Sequence, residues 1–206
     1  MSFADYTSLK QSIGEWCHRG DVSASASVTD DVIDLAEGVF NSKIRAREME
    51  DFTATNATAG FLVHPSDWLA HKSISFVTGG RKFELQPASE ESGILQYGPS
   101  GSTTAQGFVV RGSKTFLLPT GSGTYQMVYY KQIPALTTSA TTNWLLTAYP
   151  QLYLYGALLQ LQGWGFQDER IPLLKAAHDE AIADLNKSSR WASFGQVAQQ
   201  RPDRHY

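Results

Sequence analysis

Apolar residues recur at helical spacing at both ends of the chain and alternate with period two in the middle. Between Tyr6 and His18, Leu9, Ile13, Trp16 and Cys17 share one face, which predicts an amphipathic helix closed by Gly20-Asp21. A Ser/Ala linker (Ser23–Ser27) leads to Thr29, placed to N-cap a second helix whose stripe is Val32, Leu35, Ala36, Val39, Phe40 and Ile44. Asp30, Asp31 and Asp34 suit the positive end of that helix; Arg45 and Arg47 suit the other end, which falls near Asp51. The period then changes. Phe52–Thr55, Phe61–Val63, Ser73–Val77, Lys82–Leu85, Gln106–Arg111, Thr115–Leu118 and Tyr125–Lys131 read as strands, with hairpin turns at Gly79-Gly80 and Gly112-Ser113 and a loop over 98–107. After Pro134 helices return. Leu152–Leu161 is apolar all round, as in a central helix, and Pro150 fits its first turn. A last helix opens near Gln167-Asp168-Glu169, carries Ile171, Leu174, Ala177, Ala181, Ile182 and Leu185 at helical spacing, and fades near Ser188.

The expected fold class is α+β. Residues 1–51 and 142–188 make a discontinuous α-helical bundle. Residues 52–141 make an inserted antiparallel β-sandwich or barrel-like domain, and 189–206 an extended C-terminal tail.

Charge sharpens this picture. The net charge of -3 argues against general nucleic-acid binding. Residues 1–51 carry ten acids against five bases, whereas 186–206 carry four bases against one acid. Charged residues are only 18% of the chain, so the surface is either covered by partners or built from Ser, Thr and Gly. Cys17 is the single cysteine, which excludes an internal disulfide. Met1–Tyr6 lacks the basic and apolar regions of a signal peptide. Leu145–Leu161, interrupted by Pro150, Gln151, Gly156 and Gln160, is shorter than the roughly 20 apolar residues of a membrane span.

Candidate chemistry is thin. Gly107–Thr115 departs from a phosphate-binding loop by the inserted Ser113 and lies between strands. Neither His18, His64, His71, His178 nor His205 joins a zinc-like pair, and His64 and His71 read as surface histidines beside Pro65 and Trp68. The carboxylates Asp30, Asp31, Asp34, Glu37, Glu48, Glu50, Asp51, Asp168, Glu169, Asp179, Glu180 and Asp184 read as solvated helix faces. No catalytic, cofactor-binding or metal-ligating residue is expected, so the chain is not read as an enzyme. A wall hydrolase using two of these acids, or a carbohydrate-binding β domain using Trp68 and Tyr97, are the competing readings.

The more specific signals are strings: Asp31–Glu37, Ile44–Glu50, Tyr129–Leu136 and, above all, Asn143–Leu158, with Asp168-Glu169-Arg170 and Asp184-Leu185-Asn186 further on. In this order they resemble the head-to-tail adaptor proteins of tailed bacteriophages, from about Tyr6 to Arg190. The resemblance implies a virion protein at the head–tail interface. It implies a dodecameric ring beneath the portal protein that extends the channel through which packaged DNA passes without specific recognition. It also implies a surface for the next tail or nozzle protein and a C-terminal segment that docks on the portal. Read by itself, the segment after Ser188 is basic, aromatic and aperiodic, which suits an arm that orders on a partner. Trp191, Phe194, Arg201, Arg204 and Tyr206 are its candidate anchors, since interface hot spots favour Trp, Tyr and Arg. A neck or tail-completion protein that does not touch the portal is the alternative.

Overall fold

The computed structural model describes residues 5–18, 22, 26–57, 59–89, 91, 95, 104–165 and 168–194. The fold is α+β. The chain divides into two compact units: Met1–Glu48 with Ile133–Tyr206, which holds the helices, and Met49–Gln132, which holds the strands.

In the helical unit, α1 (Tyr6–Trp16) is capped by Asp5, whose carboxylate accepts the Ser8 N–H at 2.8 Å while the Ser8 hydroxyl returns to Asp5. Its buried face is Tyr6, Leu9 and Ile13, followed by the buried Cys17. The next helix, α2 (Ala26–Lys43), starts before the expected cap, so Thr29 lies buried inside it. Asp30 likewise serves a tertiary contact: it accepts from Lys10 at 2.6 Å and from the Tyr6 hydroxyl, tying α1 to α2. Two further helices follow the strands, α3 (Trp144–Ala148) and α4 (Pro150–Leu161), and the last is α5 (Ile171–Phe194). Among the described residues α4 packs against all four other helices, which explains why it is apolar on every side. Gly156 permits its approach to α2: a Cβ there would lie 2.8 Å from the Phe40 ring and 3.2 Å from Ala36 Cβ. The final helix continues past Ser188 to Phe194. Lys187–Ala192 contains neither Gly nor Pro, and Ser189 is buried four residues after Leu185 on the same face, so packing carries the helix beyond its apolar stripe.

In the β unit, two four-stranded sheets form. The first has the order β1 (Glu50–Asn56), β8 (Thr124–Lys131), β3 (Trp68–Thr78), β4 (Arg81–Glu84). The second has the order β2 (Phe61–Val63), β7 (Lys114–Leu118), β6 (Gly107–Arg111), β5 (Gln86–Pro87). Every ladder is antiparallel except β5–β6, a two-rung parallel pair. Both predicted hairpins exist, with Gly79, Gly80 and Gly112 at positive φ. The second places strand on both sides of Gly112-Ser113, which removes the phosphate-loop reading. Strand β3 begins five residues before the alternation at Ser73 because its register against β8 shifts between Trp68 and Ala70 and again between His71 and Ser73. Such irregularities break the period-two pattern by which a strand is recognised. Leu62, Ile74, Phe76, Phe108, Leu117, Tyr125 and Met127, drawn from both sheets, meet in one core. Each such side chain contributes on the order of 1.5–3 kcal/mol by leaving water.

Candidate docking surface

Several residues of the strings that carry the adaptor resemblance meet in the interior of the helical unit. Asn143 caps α3 through its side-chain oxygen, which accepts the Leu146 N–H at 2.8 Å. Its amide nitrogen donates to the Pro134 carbonyl at 2.7 Å and to the Tyr153 hydroxyl at 2.6 Å. The Tyr153 hydroxyl donates in turn to Glu37 Oε1 at 2.9 Å, and the same oxygen accepts the Leu136 N–H at 2.9 Å. Glu37 is thus not part of a solvated helix face: it is 5% exposed. Its place four residues after Ile33 and three before Phe40, within the buried stripe of α2, is the signal that reading overlooked. Burial pushes its carboxyl above the usual range, opposed by the bonds from Leu136 and Tyr153; burial and the Glu37 charge also raise the Tyr153 phenol. Asn41 accepts the Ile133 N–H at 2.9 Å, so residues 133–143 are laced to the helices. At the far end of α2, Asn186 of α5 accepts the Arg45 N–H at 2.8 Å and donates to the Lys43 carbonyl at 3.0 Å, closing the helix terminus.

The predicted docking residues begin on α5. Leu174, His178, Ile182, Leu185 and Ser189 form its buried line. Trp191 lies off that line and is 68% exposed, and Leu173, five helical turns earlier on the same side, is 71% exposed. Phe194 is the last residue of α5. Arg201, Arg204 and Tyr206 lie outside the described residues, as do Tyr97 and most of the 98–107 loop. The N-terminus of α5 is fixed by Asp168, which accepts the Arg170 N–H at 2.7 Å and pairs with its guanidinium, holding the Asp168 carboxyl down at about 2.

His64, His71 and His178 are packed rather than free on the surface. In the β unit the half-buried His64 stacks on Trp68 with ring centroids 3.9 Å apart and bonds the Thr115 hydroxyl at 2.8 Å; His71 meets Phe108 edge-on. Burial lowers both imidazoles, so they stay neutral at pH 7. In the helical unit His178 is 3% exposed beside Phe40, and its Nδ1 lies 3.6 Å from an Asp179 oxygen that Lys43 also approaches at 3.3 Å. Among the described residues no group of three or more His, Cys, Asp or Glu is arranged to hold a metal. No helix there is long and apolar enough to cross a membrane.

Glu37, Asn143, Tyr153, Gly156 and Asn186, all within the strings that looked distinctive in sequence, are thus engaged in the helical unit's own scaffold, while Trp191 near the end of α5 stands exposed. No curated protein matches the chain. The sequence profile of the SU10 adaptor protein family, however, matches residues 4–202, nearly the whole length. The chain belongs to the SU10 adaptor protein family.

Proposed function

We propose that this protein is a structural, non-enzymatic subunit of a phage head–tail junction. It forms a ring, dodecameric as the resemblance implies, beneath the portal protein and extends the DNA channel. It also presents a surface to the next tail or nozzle component. The observation that carries this reading is the family match over residues 4–202. In this reading the helices form a bundle, the two sheets with their shared core act as a sandwich, and residues 189–206 are the arm that grips the portal. Trp191 supports the last point, since a tryptophan 68% exposed on a well-packed helix is a ready anchor. Phe194, Arg201, Arg204 and Tyr206 complete the arm. Aromatic burial and charge-assisted bonds offset the entropy of ordering it, and repetition round the ring adds avidity.

The test mixes purified portal rings with the full-length chain, with a chain ending at Phe194, and with Trp191→Ala, and images the products by electron microscopy. The full-length chain is expected to add a symmetric collar. The truncated chain and Trp191→Ala are expected to lose it while unfolding at the same denaturant midpoint. A collar with all three forms would remove the arm from the account. A full-length chain that forms no collar would favour a neck or tail-completion part acting away from the portal.

A further inference from the structure

The four sheet edges of the β unit are not alike. The second sheet ends in β2, three residues long, and β5, two residues long with Pro87 as one of them. The other edge of the first sheet is β4, Arg81-Lys82-Phe83-Glu84, which presents charge. Shortness, proline and charge are the devices by which sheet proteins keep edges from pairing. Strand β1 has none of its sheet's protection along Phe52-Thr53-Ala54-Thr55-Asn56: it is seven residues long, runs against β8 without a bulge, and lacks proline and lysine. Its two acids are both engaged within the sheet, Glu50 by Lys72 at 2.6 Å and Asp51 by Lys131 at 3.1 Å.

The hydrogen-bonding face of this edge can be assigned. The Ala57 N–H donates to the Gly123 carbonyl, extending the β1–β8 ladder by one rung. Since rungs alternate, Thr55, Thr53 and Asp51 also point at β8, and Phe52, Ala54 and Asn56 point their N–H and C=O groups away from it. The Phe52 N–H agrees with this assignment, for it is held by the Asp51 carboxylate at 2.8 Å. The Ala54 amide has no partner among the described residues. Beside it, on the face shared with Val128, Phe52 is 65% exposed.

We infer that the open edge of β1 is a strand-addition site that receives an extended segment of a different protein chain, uncharged, rich in β-branched residues and bearing an apolar side chain beside Phe52. Only an extended main chain matches a row of alternating donors and acceptors, and the neutral edge selects a neutral strand. A second copy of this chain fits less well. The copy's other edges are guarded, and antiparallel pairing of β1 with itself would displace the Asp51 bond from Phe52 in both copies. The inference stands on the sheet alone and does not need the ring reading.

The test uses the full-length chain and a short, end-blocked, fluorescein-labelled peptide of alternating Thr and Val, with a twin N-methylated at alternate amides. The plain peptide is expected to bind, to slow amide exchange at Ala54 and Asn56, and to lose affinity about tenfold or more in the twin. Ala54→Pro removes an outward N–H while leaving the rungs at Thr53 and Thr55, and proline is tolerated at such edge positions. It is expected to weaken binding by a similar factor with its unfolding midpoint preserved. If this variant does not fold, the N-methylated twin carries the test without altering the protein. Equal binding of both peptides, protection elsewhere than β1, no binding up to about 1 mM, or self-association of the chain through β1 would each overturn the inference.

Discussion

Replacing Glu37 by alanine removes an acceptor that two buried donors share, the Leu136 N–H and the Tyr153 hydroxyl, each at 2.9 Å. A buried donor left without a partner costs about 1–3 kcal/mol. Two such losses, less the relief of no longer burying a carboxylate, place the destabilisation of Glu37→Ala at about 2–4 kcal/mol. For a chain of this size that lowers the thermal midpoint by about 5–15 °C. Glu37→Gln should cost much less, about 1 kcal/mol, because both bonds reach the same oxygen, Oε1, which an amide carbonyl can replace. Tyr153→Phe removes one of the two donors, so its effect combined with Glu37→Ala should fall short of the sum. The pH dependence has a definite sign. The folded-state pKa of Glu37 is raised above its ordinary 4.5, so the folded chain binds the extra proton between those two values. The Glu37 contribution is fully present below the unfolded value and is lost as pH rises through the folded one. Wild type should therefore gain on Glu37→Gln as the solution is acidified, even while Asp30, Asp168 and Asp179, whose pKa values are lowered, erode the stability of both alike. Urea unfolding followed by circular dichroism between about pH 4 and 7 reads both effects. Equal damage from Gln and Ala, or a gap that does not change with pH, would refute the argument from hydrogen bonding and burial.

Two further substitutions probe the same unit. Gly156→Ala forces a methyl into the space held by Phe40 and Ala36 and should cost about 1–3 kcal/mol in urea unfolding, with Phe40→Leu restoring part of it. Asn186→Ala strips the Arg45 N–H and the Lys43 carbonyl of their shared partner and should cost about 1–2 kcal/mol; amide exchange at Arg45 should quicken well before global unfolding.

Much of the fold was legible because helical and alternating periods are local. The stripe of α1, the all-apolar α4 and the two glycine hairpins each declared themselves within a dozen residues. What escaped depends on contacts far apart in sequence. Thr29 and Asp30 look like a helix start, but the helix begins earlier, and Asp30 is claimed by Lys10 and Tyr6. The first part of β3 hides behind two register shifts, and β5 is too short to show any period. His64 sits between Val63 and Pro65 and His71 between Ala70 and Lys72, so nothing local marks either ring as covered, yet aromatic partners on β3 and β6 cover them. Glu37 was hidden by its residue type, although its position in the α2 stripe pointed inward.

The residues that identify the family and the residues that meet partners need not be the same, and here they separate. Asn143, Tyr153, Gly156, Glu37 and Asn186 lie in the strings that carry the resemblance, and each is engaged inside the helical unit. A polar side chain whose bonds are all made internally has little left to offer another protein, and loss of Glu37, Asn143 or Tyr153 leaves a buried polar group without its partner. The resemblance thus reports the scaffold, and partner contacts are to be sought where the chain's own bonding is incomplete. Among the places that meet that condition in the described residues are the indole of Trp191 beyond the packed line of α5 and the outward backbone of Ala54 on the β1 edge. They present different chemistry, an aromatic anchor in one unit and a main-chain template in the other. In the function proposed above the protein holds two unlike neighbours, and if Trp191 and the β1 edge are the surfaces that do so, their places on different compact units let either contact be altered by substitution without disturbing the other.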